Sequence, residues 1–250
     1  PFVGTNDEAI ARMSELEGRK TFVYLGSSLG NDIDPAPFLL HLISNCTATD
    51  RVIIGVDLAA DAGTAGGGKK TVEVINKAYN DDAGVTSEFI LNSLSVVNRV
   101  AGLDFDVDKF KHVAEYNRDS DAVEIYAECV SPCTVAATAP ATDNTYHVRT
   151  FEAGERIFIE QSGKFSKARL KVLTAKAGMV VTRTWEDGDG YFRLFEAVSH
   201  AAQARTDLSN FFFRDIVGAE GLAEQPVDLR NPYAFYWGHI SAFSDRVALM

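Results

Sequence analysis

The segment FVYLGSSLGN, residues 22–31, joins a short apolar run to a turn rich in Gly and Ser. A second continuous apolar run, RVIIGVD, follows at Arg51–Asp57. Between the two, the apolar positions of residues 35–44 have the spacing of a helix. Buried strands that alternate with helices are typical of a parallel sheet. The sequence therefore predicts an α/β fold, whose ligands bind beyond the carboxyl ends of its strands.

Beyond residue 58 the chain passes from a Gly/Ala-rich loop, residues 59–70, into a half that is rich in strand signals. Thr86 is placed to cap one helix there, and Gly102 is placed to end it. The predicted helices are 71–80, 86–101, 104–117 and 167–177, and the predicted strands are 123–129, 146–151, 156–161, 179–185 and 191–197. This pattern suits the far edge of the sheet together with an inserted, β-rich portion.

Composition and charge exclude several classes of protein. The 250 residues are 46% hydrophobic and carry a formal net charge of −11. Binding to nucleic acid or to an anionic membrane needs clustered Lys and Arg, so we expect no nucleic-acid partner. No apolar run reaches the roughly 18–20 residues of a membrane-spanning helix, so we expect no transmembrane segment.

The chain has three cysteines, Cys46, Cys129 and Cys133. A sparse and odd number of cysteines does not make a disulfide framework and favours a reducing compartment. We therefore expect a cytoplasmic protein, with an organelle stroma or matrix as the alternative. The chain begins with Pro1 rather than Met, which suggests processing or truncation.

Two motifs come close to known sites without matching them. Residues 63–70, GTAGGGKK, nearly form a phosphate-binding P-loop, but Lys70 occupies the position that needs Ser or Thr. Five residues also separate Asp57 from Gly63, so the loop does not leave the strand directly, which favours a flexible insertion. Cys129 and Cys133 have no second Cys/His pair nearby, so they are interpreted as small apolar strand residues rather than zinc ligands.

Four segments carry a family resemblance: residues 22–31, residues 52–58 (VIIGVDL) with 78–86 (AYNDDAGVT), residues 151–165 (FEAGERIFIEQSGKF) and residues 185–197 (WEDGDGYFRLFEA). In order and approximate spacing they resemble the histidine Nα-methyltransferases of ergothioneine biosynthesis and their fungal relatives, over about residues 20–198. The resemblance implies a Rossmann-like sheet with an inserted β-rich substrate-binding portion and C-terminal helices. It also implies transfer of methyl groups from S-adenosylmethionine to the α-amine of histidine.

The resemblance assigns roles to individual residues. Asn31 is implied to contact the amino and carboxylate groups of the substrate, and Tyr79 and Thr86 match polar residues around the same groups. The Tyr79 hydroxyl is the candidate catalytic group that assists removal of the amine proton. Gly26 resembles the position where the backbone passes close to the cofactor, an approach that Gly allows.

Glu160 and Ser162 are the candidate residues for histidine selectivity. Residues i and i+2 of a strand face the same side, so the two side chains lie together. A carboxylate and a hydroxyl can hold the two nitrogens of an imidazole, whereas an indole offers one N–H and no acceptor. An exposed polar strand face is the alternative interpretation.

The chain also departs from the pattern of that family. The family's Gly-rich cofactor loop precedes the first strand, and residues 1–21 contain no such loop. Tyr126 stands where the family usually has Met, and Asp32-Ile33 stands where a Phe-Glu pair follows the Gly-Asn. We therefore expect a partial sheet without the N-terminal cofactor-binding strands, so that another chain or a further segment would complete the fold and the S-adenosylmethionine site.

The end of the chain resembles a different family. Residues 225–245, QPVDLRNPYAFYWGHISAFSD, are similar to the first helices of the ergothioneine sulfoxide synthases. In that family the His of the Gly-His pair is one of three histidine ligands of iron, which makes His239 a candidate Fe(II) ligand. The other two come from an HxxxH helix, and no HxxxH pair occurs among the five histidines here, so the implied site is incomplete. A structural role for His239 is the alternative.

We expect two parts in this chain, and two hypotheses about their function. Residues 1–200 are expected to form a partial methyltransferase-like domain. Residues 201–250 are expected to form a helical segment, with one helix over about 201–217 and another from about Pro232. In the first hypothesis the chain belongs to a fused ergothioneine-type enzyme that methylates a histidine-like amino acid. In the second it is a non-catalytic structural or assembly subunit that retains the fold.

Overall fold

The computed structural model describes residues 3–60, 70–137 and 148–210. Its helices are α1 Asn6–Ser14, α2 Ala36–Ser44, α3 Val72–Tyr79, α4 Val85–Ala101, α5 Lys167–Lys176 and α6 His200–Asn210. Its strands are β1 Thr21–Tyr24, β2 Arg51–Asp57, β3 Phe110–Asn117, β4 Ala122–Cys129, β5 Cys133–Ala136, β6 Val148–Phe151, β7 Arg156–Gly163, β8 Met179–Glu186 and β9 Phe192–Ser199. Two short 3₁₀ turns, Ser28–Asn31 and Val107–Lys109, complete the described elements.

The first sheet has the strand order β1-β2-β9-β8. Strands β1 and β2 are parallel, and the β8–β9 hairpin lies antiparallel beside β2. Helices α2 and α5 bury one face of this sheet, where Leu39, Ile54 and Phe195 form part of the largest core cluster. The α/β prediction is therefore confirmed, and its parallel strands are the two apolar runs of the opening segments.

The second sheet, β3-β4-β7, is antiparallel throughout and is the inserted β-rich portion that the sequence predicted. Helices α3 and α4 cover one face, where Ile75 and Ile90 pack against Val123 and Ile125. A separate two-stranded pair, β5-β6, packs against the same sheet around Phe110 and Phe151. The insertion thus has its own apolar core, distinct from that of the first sheet.

The prediction of a helix over 104–117 is wrong, because Phe110–Asn117 is strand β3. Its inward-facing residues Phe110, Ala114 and Tyr116 are buried, while Lys111 and Glu115 between them are exposed. This alternation has the period of a strand, and the many charges of the stretch obscured it. Strand β5 and helix α1 are further elements that were not among the predicted ones.

Helix α1 nevertheless carries a local start signal. The Thr5 hydroxyl accepts a hydrogen bond from the Glu8 amide at 3.2 Å, and the Thr5 amide donates to a Glu8 carboxylate oxygen at 2.7 Å. This reciprocal pair is a capping box, whose sequence signature is Thr followed three residues later by Glu. The signature is present at residues 5–8 and would have located the helix.

The cap of α4 also differs from the prediction. Gly84, in a left-handed conformation, occupies the N-cap position, and Thr86 lies in the first turn. The Asp81 carboxylate accepts hydrogen bonds from the amides of Val85 and Thr86, each at 2.9 Å. Asp81 can do so because the left-handed Gly84 folds the chain back, which a search for Ser or Thr at the cap does not detect.

Asp81 makes the stability of α4 depend on pH. Hydrogen bonds from the Thr86 side chain, the Thr86 amide and the Val85 amide lower the pKa of Asp81 to about 2. A carboxyl group with a depressed folded-state pKa stabilises the fold above its unfolded-state pKa of about 3.9. We therefore expect Asp81→Ala to lower the Tm near neutral pH, with the difference shrinking as the pH falls from about 4 toward the folded-state pKa.

Thermal unfolding followed by circular dichroism at a series of pH values measures this difference. The neighbouring Asp82→Ala variant is the control, because Asp82 is exposed and does not hold the helix amides. A decrease in Tm that stays the same down to acidic pH would contradict the ionic cap.

The C-terminal predictions are only partly covered. Helix α6 spans His200–Asn210, and the remainder of the predicted helix to residue 217 lies outside the described residues. The second predicted helix and His239 also lie outside them. Within the described ranges, no helix combines the length and apolar character needed to cross a membrane.

Candidate active site

Three chain segments meet beyond the carboxyl ends of β1 and β2. The Phe165 amide, just after β7, donates to the carbonyl of Asp57 at the end of β2, at 2.9 Å. The Asp57 amide donates to the Ser27 hydroxyl at 2.9 Å, which ties the turn after β1 to the same place. The end of the second sheet is therefore joined to the edge of the first sheet at which α/β folds bind ligands.

A close backbone contact fixes this junction. A Cβ built on Gly30 would lie 2.3 Å from the carbonyl oxygen of Gly163 and 2.9 Å from its amide nitrogen. Side-chain atoms of real residues do not approach backbone so closely. Glycine at position 30 is therefore required for the turn after β1 to reach β7.

Lys164 is the most buried polar side chain at the junction, with 1% of its surface exposed. Its Nζ donates to the Tyr79 hydroxyl at 2.7 Å and to the Ser162 hydroxyl at 2.9 Å, and it lies 2.9 Å from Oδ2 of Asp57. The Tyr79 hydroxyl in turn donates to Ser162 Oγ at 2.7 Å. Together with Lys70, these residues are called the Lys164 cluster below.

Asp57 lies between two lysines. Lys70 Nζ contacts its Oδ1 and also donates to the carbonyl of Tyr191 at 3.1 Å. Burial lowers the pKa of Lys70, which the hydrogen bond and charge of Asp57 partly oppose. With both lysines protonated, two positive charges and one negative charge leave the cluster with a net charge of +1. A buried net positive charge attracts an anionic group of a ligand.

Glu160 and Ser162 share a face of β7, as the strand period predicted. Ser162 pairs with Val123, and Glu160 pairs with Ile125. Directly paired residues of an antiparallel ladder point to the same side, and Val123 and Ile125 face helices α3 and α4. By this register Glu160 lies on the same face as Ser162, at an exposed position beside a β-bulge at Ile159 and farther along β7 from Lys164.

Asn31 lies beside the same strand. Gly30, the residue before it, contacts Gly163, and the carbonyl of Asp32, the residue after it, accepts a hydrogen bond from Gln161 Nε2 at 3.1 Å. The backbone of Asn31 is therefore held next to residues 161–163, with its side chain exposed. The structure therefore joins Tyr79 and Ser162 by a direct hydrogen bond and holds the backbone of Asn31 beside β7, the strand that also carries Glu160.

Thr86 and Gly26 lie at the margins. Thr86 is half-buried in the first turn of α4, and its amide is held by Asp81 rather than by the Lys164 cluster. Gly26 has a φ of +78°, and a Cβ built there would meet only Ser28 Oγ, at 3.9 Å. The side of Gly26 that a side chain would occupy is therefore open, which is compatible with close approach of a ligand.

A cavity with both polar and apolar lining residues opens beside the turn after β1. It has a volume of about 840 Å³ and is lined by residues of α1, α2 and the turn, which include Asn6, Asp7, Asp32 and His41. Its volume is within the usual range for small-molecule sites of about 300–1,000 Å³. Among the residues that the structure describes, no cluster of three or more His, Cys, Asp or Glu could hold a metal ion.

Sequence reasoning did not identify Lys164, Asp57 or Lys70 as site residues. A signal for Lys164 was present, because it continues the same-face series of Glu160 and Ser162 along the chain. Lys70 occupies the position at which a P-loop needs Ser or Thr. In the structure its side chain forms an ion pair with Asp57.

The fold and the site define a class. A sheet that begins with two parallel strands and is extended by an antiparallel hairpin, with polar residues beyond the strand ends, is a Rossmann-like α/β fold. The family model described as "Histidine-specific methyltransferase, SAM-dependent" matches residues 1–199. The chain belongs to this family.

Individual relatives agree with the family. The chain is 37% identical over 186 residues to a histidine N-alpha-methyltransferase of Mycolicibacterium smegmatis, covering 72% of this chain and 52% of that protein. It is 29% identical over 269 residues to ergothioneine biosynthesis protein 1 of Neurospora crassa, covering 97% of this chain and 28% of the relative. A methyltransferase structure from Clostridium acetobutylicum aligns over 75% of this chain and 62% of its own, with 11% identity and a TM-score of 0.33. The chain spans about half the length of its bacterial relative, or less for the fungal one.

Proposed function

We propose that this chain supplies the substrate-binding portion of an enzyme that transfers methyl groups from S-adenosylmethionine to the α-amine of histidine, as in ergothioneine biosynthesis. The observation that carries the proposal is the hydrogen-bonded group of Tyr79, Ser162 and Lys164, with Glu160 on the same face. Membership of the histidine-specific family over residues 1–199 supports the same reaction.

The bonds of Ser162 leave one capacity for a ligand. Its oxygen accepts from the Tyr79 hydroxyl and from Lys164 Nζ, so both lone pairs are used. Its own proton remains available for donation. In our proposal the Ser162 hydroxyl donates a hydrogen bond to the unprotonated nitrogen of a neutral imidazole, while the Glu160 carboxylate accepts a hydrogen bond from the ring N–H. An indole could satisfy only the second of these contacts.

The Tyr79 hydroxyl has the complementary capacity. It donates to Ser162 and accepts from Lys164, which leaves one lone pair for a donor on the substrate. We assign that lone pair to an N–H of the α-amine, with Asn31 and Thr86 contacting the amino and carboxylate region. The net positive charge of the Lys164 cluster favours the α-carboxylate of an amino acid over an uncharged amine.

The chemical step requires a neutral amine, because an ammonium has no lone pair. The amine nitrogen attacks the sulfonium methyl, the carbon–sulfur bond breaks, and S-adenosylhomocysteine leaves with the electron pair. The proton lost from nitrogen passes to solvent, assisted by the Tyr79 hydroxyl that holds the amine. Positioning the nitrogen in line with the methyl group is the main contribution that these side chains make.

We propose that the methyl donor binds in the cavity beside the turn after β1. Asn6, Asp7 and Asp32 in its lining can form hydrogen bonds with the hydroxyl and amino groups of a nucleoside. Gly26 belongs to the turn after β1 and has open space where a side chain would stand. We propose that the remaining donor contacts come from polypeptide beyond these 250 residues, either a further segment or another chain. The shorter span of this chain relative to its relatives supports that arrangement.

Two measurements test the proposal. Calorimetric titration of the chain with histidine should show binding that tryptophan does not reproduce. The polypeptide that contains this chain with its methyl-donor site should convert histidine to its Nα-trimethyl form. Histidine binding without any methyl transfer would favour the alternative of a non-catalytic assembly subunit, and no histidine binding at all would end the proposal.

Glu160 gives a sharper prediction about selectivity. A Glu160→Leu variant should bind histidine about tenfold more weakly, since the ring N–H loses its acceptor. Glu160→Gln keeps an acceptor oxygen and should lose less. Glu152→Leu is a matched control, because this exposed carboxylate lies before β7, away from the cluster. The dissociation constants for histidine, measured by calorimetry for the three variants, test this prediction. An equal decrease of affinity in all three would show that Glu160 does not contact the substrate.

A second activity is proposed for the C-terminal segment. The Neurospora crassa relative aligns with 97% of this chain, which extends past residue 199 where the family model ends. We propose that residues 201–250 begin a helical bundle like that of the ergothioneine sulfoxide synthases, with His239 as one ligand of Fe(II) and the other ligands beyond residue 250. Iron analysis of the longer polypeptide, with His239→Ala as the comparison, tests this; unchanged iron content would contradict it.

A further inference from the structure

Two thiols lie together at the end of the second sheet that is opposite to the Ala122–Gly163 pair, and therefore at the far end of β4 from the Lys164 cluster. Cys129 ends β4, Cys133 begins β5, and their Sγ atoms are 3.8 Å apart. Residues 130–132 connect them, and the Cys129 thiol also donates to the carbonyl of Ser131 at 3.0 Å. The sulfurs are therefore in van der Waals contact while both cysteines are reduced.

The surroundings hold this contact in place. The Cys129 amide donates to the Glu155 carbonyl and its carbonyl accepts from the Gly154 amide, each at 2.8 Å. Cys133 is paired with Phe151 in the β5-β6 ladder. A disulfide bond of about 2 Å would require the two sulfurs to approach each other further, through rotation of side chains that are mounted on these anchored backbones.

We propose that Cys129 and Cys133 are a redox modification site, at which a small disulfide such as oxidised glutathione converts the two thiols into an intramolecular disulfide. Cys133 is partly exposed, whereas 1% of Cys129 is exposed, so Cys133 is the attacking residue and Cys129 the resolving one.

The exchange balances in two displacements. The Cys133 thiolate attacks one sulfur of oxidised glutathione, the glutathione S–S bond breaks, and the first glutathione leaves. The Cys129 thiolate then attacks the Cys133 sulfur of the mixed disulfide and releases the second glutathione. The two cysteine protons end on the two released glutathione thiolates, so the protein is oxidised by two electrons and glutathione is reduced.

The reaction should be slow near neutral pH and faster in alkali. Burial and the neighbouring Cys129 thiol raise the pKa of Cys133 above its usual value. Since the thiolate is the attacking form, a raised pKa leaves little of it at neutral pH. The pair is thus suited to respond to sustained oxidation rather than to turn over as a catalyst.

The bond would link β4 of the second sheet to β5 of the small hairpin. Both cysteines belong to the cluster that contains Phe110 and Phe151, which already joins these strands. Oxidation is therefore expected to hold the β5-β6 pair to the sheet and to raise the Tm of the full chain by about 5 °C.

The test uses the full chain with Cys46→Ser, which removes the third thiol. Burial raises the pKa of Cys46 to about 11, so its own reaction is also slow. After incubation with oxidised glutathione at mildly alkaline pH, unfolding and alkylation should add no alkyl group, and the intact mass should fall by that of two hydrogen atoms. Two alkyl groups, or glutathione that stays attached, would overturn the proposal.

Single variants in the same background assign the order of attack. With Cys129→Ser, glutathione should remain attached to Cys133, because the resolving thiol is gone. With Cys133→Ser, the buried Cys129 should stay unmodified for the same period. Glutathione on Cys129 instead would reverse the assigned order and count against the proposed step, and peptide mapping of the Cys46→Ser protein decides on the bond itself if either variant fails to fold.

Discussion

Gly30→Ala is expected to destabilise the chain by about 3 kcal/mol, near the upper end for overpacked sites. The added Cβ would lie 2.3 Å from the carbonyl oxygen of Gly163. Neither partner is a flexible side chain that could turn aside, so the turn after β1 and the end of β7 must separate. The contact joins the two sheets at the site, and histidine binding should be lost with it.

Urea unfolding measures the free-energy change, and Gly188→Ala is the matched control. A Cβ at Gly188 meets nothing within 4 Å. This second variant should therefore stay within about 0.5 kcal/mol of the parent protein. If Gly30→Ala unfolded at the same urea concentration as the control, the close packing of the turn on β7 would be refuted.

Lys164→Met is expected to lower kcat/KM for histidine by about 100-fold, measured in the polypeptide that has both the substrate and the methyl-donor sites. Methionine matches the length of the lysine stem but removes three hydrogen-bond donors. The hydroxyls of Tyr79 and Ser162 then lose the ammonium that holds them, and the cluster loses its net positive charge. Both the position of the amine and the attraction of the carboxylate should suffer.

The fold should survive this change. Asp57 keeps Lys70 as its partner, and an apolar side chain at a buried position relieves the desolvation of the ammonium. Lys167→Met is the matched control, since Lys167 is about half exposed and faces Glu186 rather than the cluster. A folded Lys164→Met protein with unchanged histidine affinity and unchanged kcat/KM would show that the cluster is structural only.

Much of the α/β sheet could be predicted because each of its strands is short and apolar and can be identified from neighbouring residues alone. Arg51–Asp57 was predicted with the bounds that the structure shows, since a continuous β-branched run between polar ends has no competing interpretation. The prediction for Phe110–Asn117 was wrong because this strand is not a continuous apolar run. Its outward residues are charged, so composition suggested a solvated helix while the spacing of its buried residues had the period of a strand.

The site also has features that could be predicted from the sequence and features that could not. The shared face of Glu160 and Ser162 was predictable, because adjacent alternation along one strand depends only on backbone geometry. The burial of Lys164 was not predictable, because a lysine is ordinarily exposed and the alternation along β7 does not show that Asp57 and Tyr79 lie around it.

The amino-acid sequence by itself determined the class of fold, the family and the face from which Glu160 and Ser162 project, because each of these depends on local periodicity or on motif order. Only the tertiary structure decided that Lys164 is buried between Asp57, Tyr79 and Ser162, and that Gly30 packs on Gly163. Such contacts join residues far apart in the chain, and their free energy depends on how two separately patterned sheets pack against each other.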